Sequence, residues 1–286
     1  MSDITTTTTV PGASAGLPWG NWWSQLRAIV RLELRKGFRR SFGLLLLAFS
    51  PLVILIPRIL FPRALGDPSD VGKATEIFAW LYQVYILRVM IFLACIAIFG
   101  NLIRRETLDR SLHYYFLSPV RRELLVVAKY VTGLIVSFGL FGLTTAVSFV
   151  LIYLPHDSAR VQHFLFQEHG LGHLASYLLV TLLACVGYGA VFLFFGFFFK
   201  SPAMPALVVF GWEGIHFLLP PLLKQMSVIH YLQSLCPVKI SEGPIAILSD
   251  APAPWVSVVG LSALALVLVA VSAWKIRRME IAYDES

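Results

Sequence analysis

Charged residues are scarce in this chain of 286 residues. Asp, Glu, Lys and Arg make up only 14% of it, whereas hydrophobic residues make up 57%. The mean hydropathy is +0.75. A soluble domain of this size needs more polar surface to cover its single core. The composition therefore excludes an ordinary soluble protein and predicts an all-α integral membrane protein.

Acidic residues are the scarcer of the two charge classes, with 16 Asp and Glu against 23 Lys and Arg and a net charge of +7. An excess of basic charge can indicate nucleic-acid binding. Here, however, the basic residues stand at the ends of apolar runs, where they set the orientation of a protein in the membrane. We therefore predict contact with membrane lipids and none with nucleic acid.

Cysteine is nearly absent, and the three that occur, Cys95, Cys185 and Cys236, have no metal-type spacing. Two of them lie inside apolar runs, where a thiol behaves as a small buried hydrophobic group. The histidines of residues 155–173 lie in an outer loop and are expected to be solvated. We therefore predict no metal site.

The chain also lacks a nucleotide-binding loop. The nearest match is Gly66 with Gly72 and Lys73, but the glycines are too far apart, and Ala74 stands where Ser or Thr would bind magnesium. The polar segments on the predicted cytoplasmic side are also too short for a nucleotide domain. We therefore predict that the chain is not an enzyme and has no cofactor of its own.

Residues 1–18 are rich in Thr, Gly and Ser and are predicted to form a disordered tail. Residues 19–40 that follow read as an amphipathic helix, with an apolar stripe beside a basic stripe at i+4 spacing. Tryptophans at its start suit the headgroup level of a bilayer. The predicted membrane-interface residues are Trp19, Trp22, Trp23, Arg27, Arg31, Arg35 and Arg39.

Residues 41–278 form the predicted transmembrane domain, followed by a cytoplasmic tail at 279–286. Apolar runs long enough to cross a bilayer predict six transmembrane helices. Their approximate bounds are 42–61, 77–102, 125–154, 174–199, 203–219 and 255–274. Prolines interrupt residues 222–254 too often for a transmembrane helix. This stretch therefore predicts a re-entrant outer hairpin before the sixth span.

Most basic residues flank these spans on one face, while Arg63, Lys73, Arg160, Lys224 and Lys239 fall on the other. Because cytoplasmic loops carry the excess of Lys and Arg, both termini are predicted to be cytoplasmic. The chain is thus expected to be a multi-pass protein of the bacterial inner (plasma) membrane.

Two charges interrupt the apolar spans. Arg88 lies near the middle of the second span and Glu213 near the middle of the fifth. A charge at that depth is costly and indicates a functional position, such as a translocation path. We expect each side chain to have a partner, which is either the other charge or, separately, water or backbone carbonyls.

The segment 104–129 between the second and third spans is longer than a simple connection needs. Leu108, Leu112, Tyr115 and Phe116 share one face of a predicted helix, which ends at Ser118-Pro119. Basic residues flank this face on both sides. The pattern predicts a short amphipathic helix that leads directly into the next span.

This segment resembles the motif of type-2 ABC exporter permeases, and the likeness in span layout covers about Trp22 to Glu280. The matching residues are Glu106, Thr107, Leu108, Leu117, Ser118, Pro119, Val120, Arg122, Ala128 and Lys129. The Gly-Thr that usually follows the glutamate is absent. The resemblance implies a cytoplasmic coupling helix that docks on a separate ABC ATPase subunit, which binds the ATP and magnesium.

The resemblance also implies export, and a dimer with a second permease copy or a paralogue. The implied ATPase-coupling residues are Arg104, Arg105, Glu106, Leu108, Leu112, Tyr115, Phe116, Pro119, Arg121 and Arg122. Two alternatives stay open from the residues alone. One is an ion-coupled secondary transporter that uses Arg88 and Glu213. The other is a membrane anchoring or assembly subunit of a larger complex.

Overall fold

The structure is a computed structural model in which residues 19–39, 42–61, 70–100, 102, 122–199, 203–215, 218–225, 227–240 and 252–277 are described. Every regular element in these ranges is a helix. The helices in chain order are α1 (Trp19–Arg39), α2 (Phe42–Leu60), α3 (Val71–Gly100), α4 (Arg122–Tyr153), α5 (Ser158–Gln167), α6 (Gly170–Gly196), α7 (Ala203–Gly214), α8 (Pro221–Lys224), α9 (Val228–Ser234) and α10 (Pro254–Arg277).

Five of these helices, namely α2, α3, α4, α6 and α10, are long and apolar enough to cross a membrane. The helix α3 begins earlier than the predicted second span, because Asp70 caps it. The Asp70 carboxylate accepts a hydrogen bond of 3.1 Å from the backbone N–H of Lys73. This bond is the main cause that lowers the pKa of Asp70. The start of α3 therefore depends on a capping residue that lies outside the apolar run.

The predicted fifth span, 203–219, differs from what is observed. Its helix α7 has 12 residues and ends at Gly214. At 1.5 Å per residue it is about 18 Å long, whereas the apolar core of a bilayer is about 30 Å thick. Gly214 is a poor helix former, and Pro220-Pro221 cannot continue a helix. The described helix α7 is therefore too short to cross the bilayer by itself.

The helix α3 is not uniformly α-helical. Residues Leu81–Ile91 and Ile96–Gly100 form π-helical turns, separated by an α-helical turn at Phe92–Cys95. Turns of this kind are rare and occur often at functional positions. Arg88 lies within the longer π-helical stretch. The unusual backbone and the intramembrane charge therefore coincide in one part of the chain.

The core of the bundle lies where α3, α4, α6 and α10 pack together, with α1 and α2 against α4. Phe99 of α3 is 1% exposed and lies between glycines of two neighbouring helices. A Cβ added to Gly133 of α4 would lie 2.5 Å from the Phe99 ring, and one on Gly189 of α6 would lie 2.8 Å from it. These glycines therefore allow the close approach of the three helices.

We predict that Gly133→Ala destabilises the bundle, because the added methyl group has to displace the buried ring of Phe99. Overpacking of this kind costs about 1–3 kcal/mol. Gly139→Ala in the same helix is the matched control, since nothing lies within 4 Å of a Cβ at that position. Thermal unfolding of the detergent-purified protein measures both. Equal effects of the two substitutions would show that Phe99 does not fill a glycine-lined site.

Candidate functional site

The two intramembrane charges lie in contact with the bundle core. Glu213 lies in the last turn of α7 and is 8% exposed. Arg88 is half-buried in the π-helical stretch of α3. The Arg88 guanidinium acts electrostatically on both the Glu213 carboxylate and the Tyr188 hydroxyl. The second and fifth predicted spans thus bring their charges into one electrostatic neighbourhood.

Direct hydrogen bonds join Glu213 to the start of α9. Its carboxylate accepts a bond from the Ser227 hydroxyl, one of 3.0 Å from the backbone N–H of Val228, and one of 3.3 Å from that of Ile229. Those N–H groups belong to the first turn of α9. The N–H groups of a first helical turn have no carbonyl acceptors within their own helix. Glu213 therefore provides the acceptors for these N–H groups, while the Ser227 side chain does not cap the helix.

This arrangement accounts for a charge in an apolar surrounding. Burial makes an isolated carboxylate costly. Hydrogen bonds to the carboxyl group offset part of that cost, and Glu213 accepts three of them. The described hydrogen bonds of Glu213 go to residues 227–229. The expected pairing of Glu213 with Arg88 stays a prediction.

A second polar site lies at the start of α4, next to the predicted coupling segment. Lys129, which is 2% exposed, makes an ion pair of 3.3 Å with Glu33 of α1. Glu123 makes an exposed ion pair of 2.8 Å with Arg277 at the end of α10. The end of α4 that adjoins the predicted coupling segment is therefore linked by ion pairs to both α1 and α10.

The interface helix α1 presents part of its basic stripe to the surroundings. Arg27 and Arg31 are exposed. Arg35 and Arg39 lie in the same helix, but their side chains are outside the described residues, as are those of the tryptophans at 19, 22 and 23. The described part of α1 thus buries Glu33 towards α4 and directs two arginines away.

The predicted coupling residues from Arg104 to Arg121 lie outside the described residues. Arg122 begins α4, and its side chain is likewise not described. The segment's apolar face and its basic rim therefore stay predictions from the sequence. The described structure adds the positions of the two helix ends that the segment joins.

The predicted outer face carries a cavity of about 460 Å³ whose lining includes Asp70, Lys73, Arg160, His163 and Glu168. Within this cavity Lys73 forms an ion pair of 3.3 Å with Asp70, and a ring nitrogen of His163 lies 3.2 Å from the Glu168 carboxylate. In the part of the chain that the structure describes, no three His, Cys, Asp or Glu side chains group closely enough to hold a metal ion.

His156, in the loop after α4, is 8% exposed. Burial and the neighbouring positive charge of Arg58 lower its pKa. Arg58 itself is 5% exposed, so it does not extend to the surface as a basic residue at a span end usually does. The predicted outer end of the bundle thus buries Arg58 next to His156, which the apolar pattern did not predict.

Comparison with known families matches residues 29–211 to the ABC-2 family transporter proteins. The match covers well over half of the chain. The chain belongs to the ABC-2 transporter family. No curated protein and no solved structure matches it.

Membership confirms the family resemblance that the sequence suggested, to the type-2 ABC permeases. Members of the ABC-2 transporter family are membrane components of transporters, in agreement with the apolar helices observed here. The matched region contains Arg88, Lys129 and the whole predicted coupling segment. It ends at residue 211, before Glu213 and the hydrogen bonds that it makes.

Some polar partners in this ABC-2 protein were not predicted from the sequence. Glu33 could have been noticed as an acidic residue in an otherwise basic helix. Ser227 could have been noticed as a helix N-cap residue immediately before an apolar run. Gln83, whose amide donates a bond of 2.6 Å to the carbonyl of Val238, gave no comparable signal.

Proposed function

We propose that this chain is the membrane-spanning permease subunit of an ATP-driven ABC export system. A separate ABC ATPase subunit would hydrolyse ATP, and this chain would convert that event into movement of a substrate across the bacterial inner membrane. The proposal keeps the six crossings expected from the sequence, with both termini in the cytoplasm, and therefore requires residues beyond α7 to complete the fifth crossing. It also includes a dimer with a second permease copy or a paralogue.

The observation that carries the proposal is the family match across residues 29–211, which includes the amphipathic segment between two candidate spans. That segment offers apolar and aromatic side chains at helical spacing, which suits docking into a groove on another protein. The sequence of this chain has no phosphate loop of its own. A partner that binds ATP therefore accounts for both features.

The ion pairs at the start of α4 support a route for coupling. A force applied at the segment 104–121 would reach α4 at Arg122. From there, the Glu123–Arg277 pair leads to α10 and the Lys129–Glu33 pair leads to α1. Chains of such contacts can carry coupling between distant sites. The buried Lys129–Glu33 pair is the stronger candidate, because water screens the exposed pair.

Arg88 and Glu213 are proposed to belong to the translocation path. Charges in membrane spans generally face a protein interior or a water-filled cavity and mark such paths. The electrostatic attraction between them would keep α3 and α7 together in the resting state. ATP-driven closure of the partner subunit would then have to work against this attraction.

The proposal is tested by purifying the tagged chain in mild detergent after expression with its genomic neighbours. We expect an ATPase to co-purify and the complex to hydrolyse ATP. An active-site substitution in that ATPase is the control, and it should abolish ATP hydrolysis while the complex stays intact. Stable purification of this chain with no ATPase, under conditions that preserve other permease complexes, would count against the proposal.

We also predict that the basic stripe of α1 binds anionic lipid. In a peptide of residues 19–40, replacing Arg27, Arg31 and Arg35 with glutamate should weaken binding by about 1 kcal/mol for each basic residue lost near the surface. Glu33→Gln is the control, and it should not weaken binding. Vesicle sedimentation and circular dichroism with anionic and neutral vesicles measure this. A peptide that stays unbound and unfolded with anionic vesicles would refute the prediction.

A further inference from the structure

Residues 227–240, called the strap here, are packed into the helix bundle. The Val228 side chain contacts α6, where a Cβ added to Gly187 would lie 3.2 Å from its Cγ1 atom. The Ser234 hydroxyl is hydrogen-bonded to the Ser257 hydroxyl of α10 at 2.7 Å. The strap is therefore a structural element of the bundle and not a loose surface connection.

Two different helices hold the two ends of the strap through buried side chains. At the start, Glu213 of α7 accepts hydrogen bonds from Ser227, Val228 and Ile229. Near the end, Gln83 of α3 is 3% exposed and donates a hydrogen bond of 2.6 Å to the carbonyl oxygen of Val238. The strap thus bridges α7 and α3, the two helices that carry the intramembrane charges.

The two attachments are unequal in strength. The Glu213 carboxyl group accepts three hydrogen bonds at the start of the strap, and three such bonds together are stronger than one. Gln83 makes a single neutral bond to Val238. If α3 and α7 separate, the bond at Val238 should therefore break first, and the start of the strap should stay with α7.

The backbone of α3 offers a way to break that bond. Gln83 lies in the π-helical stretch Leu81–Ile91. A π-helical turn contains more residues than an α-helical turn, so conversion of one to the other changes the direction in which side chains point. Such a conversion would turn Gln83 away from Val238 without unfolding α3. It would also move Arg88, which lies in the same stretch.

We propose that Glu213 is the hinge and Gln83 the latch of the strap, and that both are positioning residues. In the resting state the hydrogen bond from Gln83 to Val238 holds the end of the strap against α3. When the latch opens, residues 236–240 move away from α3 while the start of α9 stays bound to α7. The inference rests on the proposed function only in assigning this movement to the opening of the transport path.

The test uses the full chain in lipid nanodiscs, without an ATPase or a substrate. A spin label at Lys239→Cys, in a background without native cysteines, reports the latched end, since Lys239 is exposed. A label at Val259→Cys on α10, which is 58% exposed, reports the bundle. Hydrogen exchange of the amides of residues 228–232 reports the hinge.

Gln83→Leu removes the donor and keeps the side-chain size. We expect the mobile fraction of the label at 239 to rise about fivefold to tenfold, as the loss of one hydrogen bond of ordinary strength predicts. Exchange at residues 228–232 and the label at 259 should not change. Glu213→Gln should instead raise exchange at residues 228–232 by about tenfold or more, because the amide has one acceptor oxygen in place of two and leaves a buried donor of the strap without its partner.

Three outcomes would overturn the inference. One is a label at 239 that stays immobile in Gln83→Leu. Another is that Gln83→Leu raises hydrogen exchange at residues 228–232 as much as Glu213→Gln does. The third is a change at the 259 label in both Gln83→Leu and the milder Gln83→Met, which would make Gln83 a general packing residue. Since no ATPase is present, these outcomes are independent of whether the proposed function holds.

Discussion

Phe116→Ala should release the ATPase from this chain or uncouple ATP hydrolysis from transport. Phe116 lies with Leu112 and Tyr115 on the apolar face of the predicted coupling helix. Central aromatic anchors of an interface typically contribute about 2 kcal/mol or more, which is roughly thirtyfold in affinity. The measurement is the ratio of ATPase to permease after purification, together with the ATP turnover of the complex.

Arg104→Ala is the matched control for this substitution. Charged residues at the rim of an interface mainly affect the rate of association and its salt dependence. We therefore expect Arg104→Ala to retain assembly at physiological salt and to weaken it only as the salt concentration rises. Full assembly and full transport with Phe116→Ala would show that the docking assignment is wrong.

Lys129→Met should cause the largest loss of stability among single changes at the start of α4. Lys129 is 2% exposed, and Glu33, its partner, is 15% exposed. Removing one partner of a largely buried ion pair typically costs about 3–5 kcal/mol. We expect α1 to detach from α4. Protease accessibility of α1 and thermal unfolding of the purified protein measure the effect.

Two controls separate the loss of the pair from the loss of packing. Glu33→Leu combined with Lys129→Met should recover much of the stability, since replacing both charges with apolar groups is often neutral. Glu123→Gln removes the exposed pair with Arg277 in the same helix and should cost only about 0.2–1 kcal/mol. An equally small effect of Lys129→Met would refute a structural role for the buried pair.

The sequence was sufficient to predict the fold class and the approximate positions of the long helices. Apolar runs of spanning length are a local property, so α2, α4, α6 and α10 are visible without tertiary information. The amphipathic pattern of α1 is local in the same way. The family resemblance was also predictable, because its motif is contiguous in residues 104–129.

The polar partners could not be predicted, because they join residues far apart in sequence. The Lys129–Glu33 pair and the Gln83–Val238 bond depend on how the helices pack, which no periodic pattern encodes. The π-helical stretch of α3 is equally hidden, because its apolar residues suit an α-helix as well. The short α7 was predicted as a longer span because apolar residues continue beyond Gly214.

The sequence singled out Arg88 and Glu213 as intramembrane charges, but it did not predict the hydrogen-bond partners of Glu213. The depth of Arg88 and Glu213 suggested a direct contact or separate partners. The structure joins Glu213 to the first turn of α9, and its pairing with Arg88 stays a prediction. A helix start is a partner that a carboxylate meets only when the tertiary fold brings them together.

The central claim is that the segment 104–121 docks on an ATPase, and site-specific photo-crosslinking in cells tests it most directly. A photoreactive amino acid in place of Tyr115 should give an adduct with a protein that contains a Gly-x-x-x-x-Gly-Lys-Ser/Thr motif. The same group in place of Trp255, which is 70% exposed at the start of α10, should not give this adduct. Adducts with lipid alone at position 115, or with proteins that lack such a motif, would contradict the account.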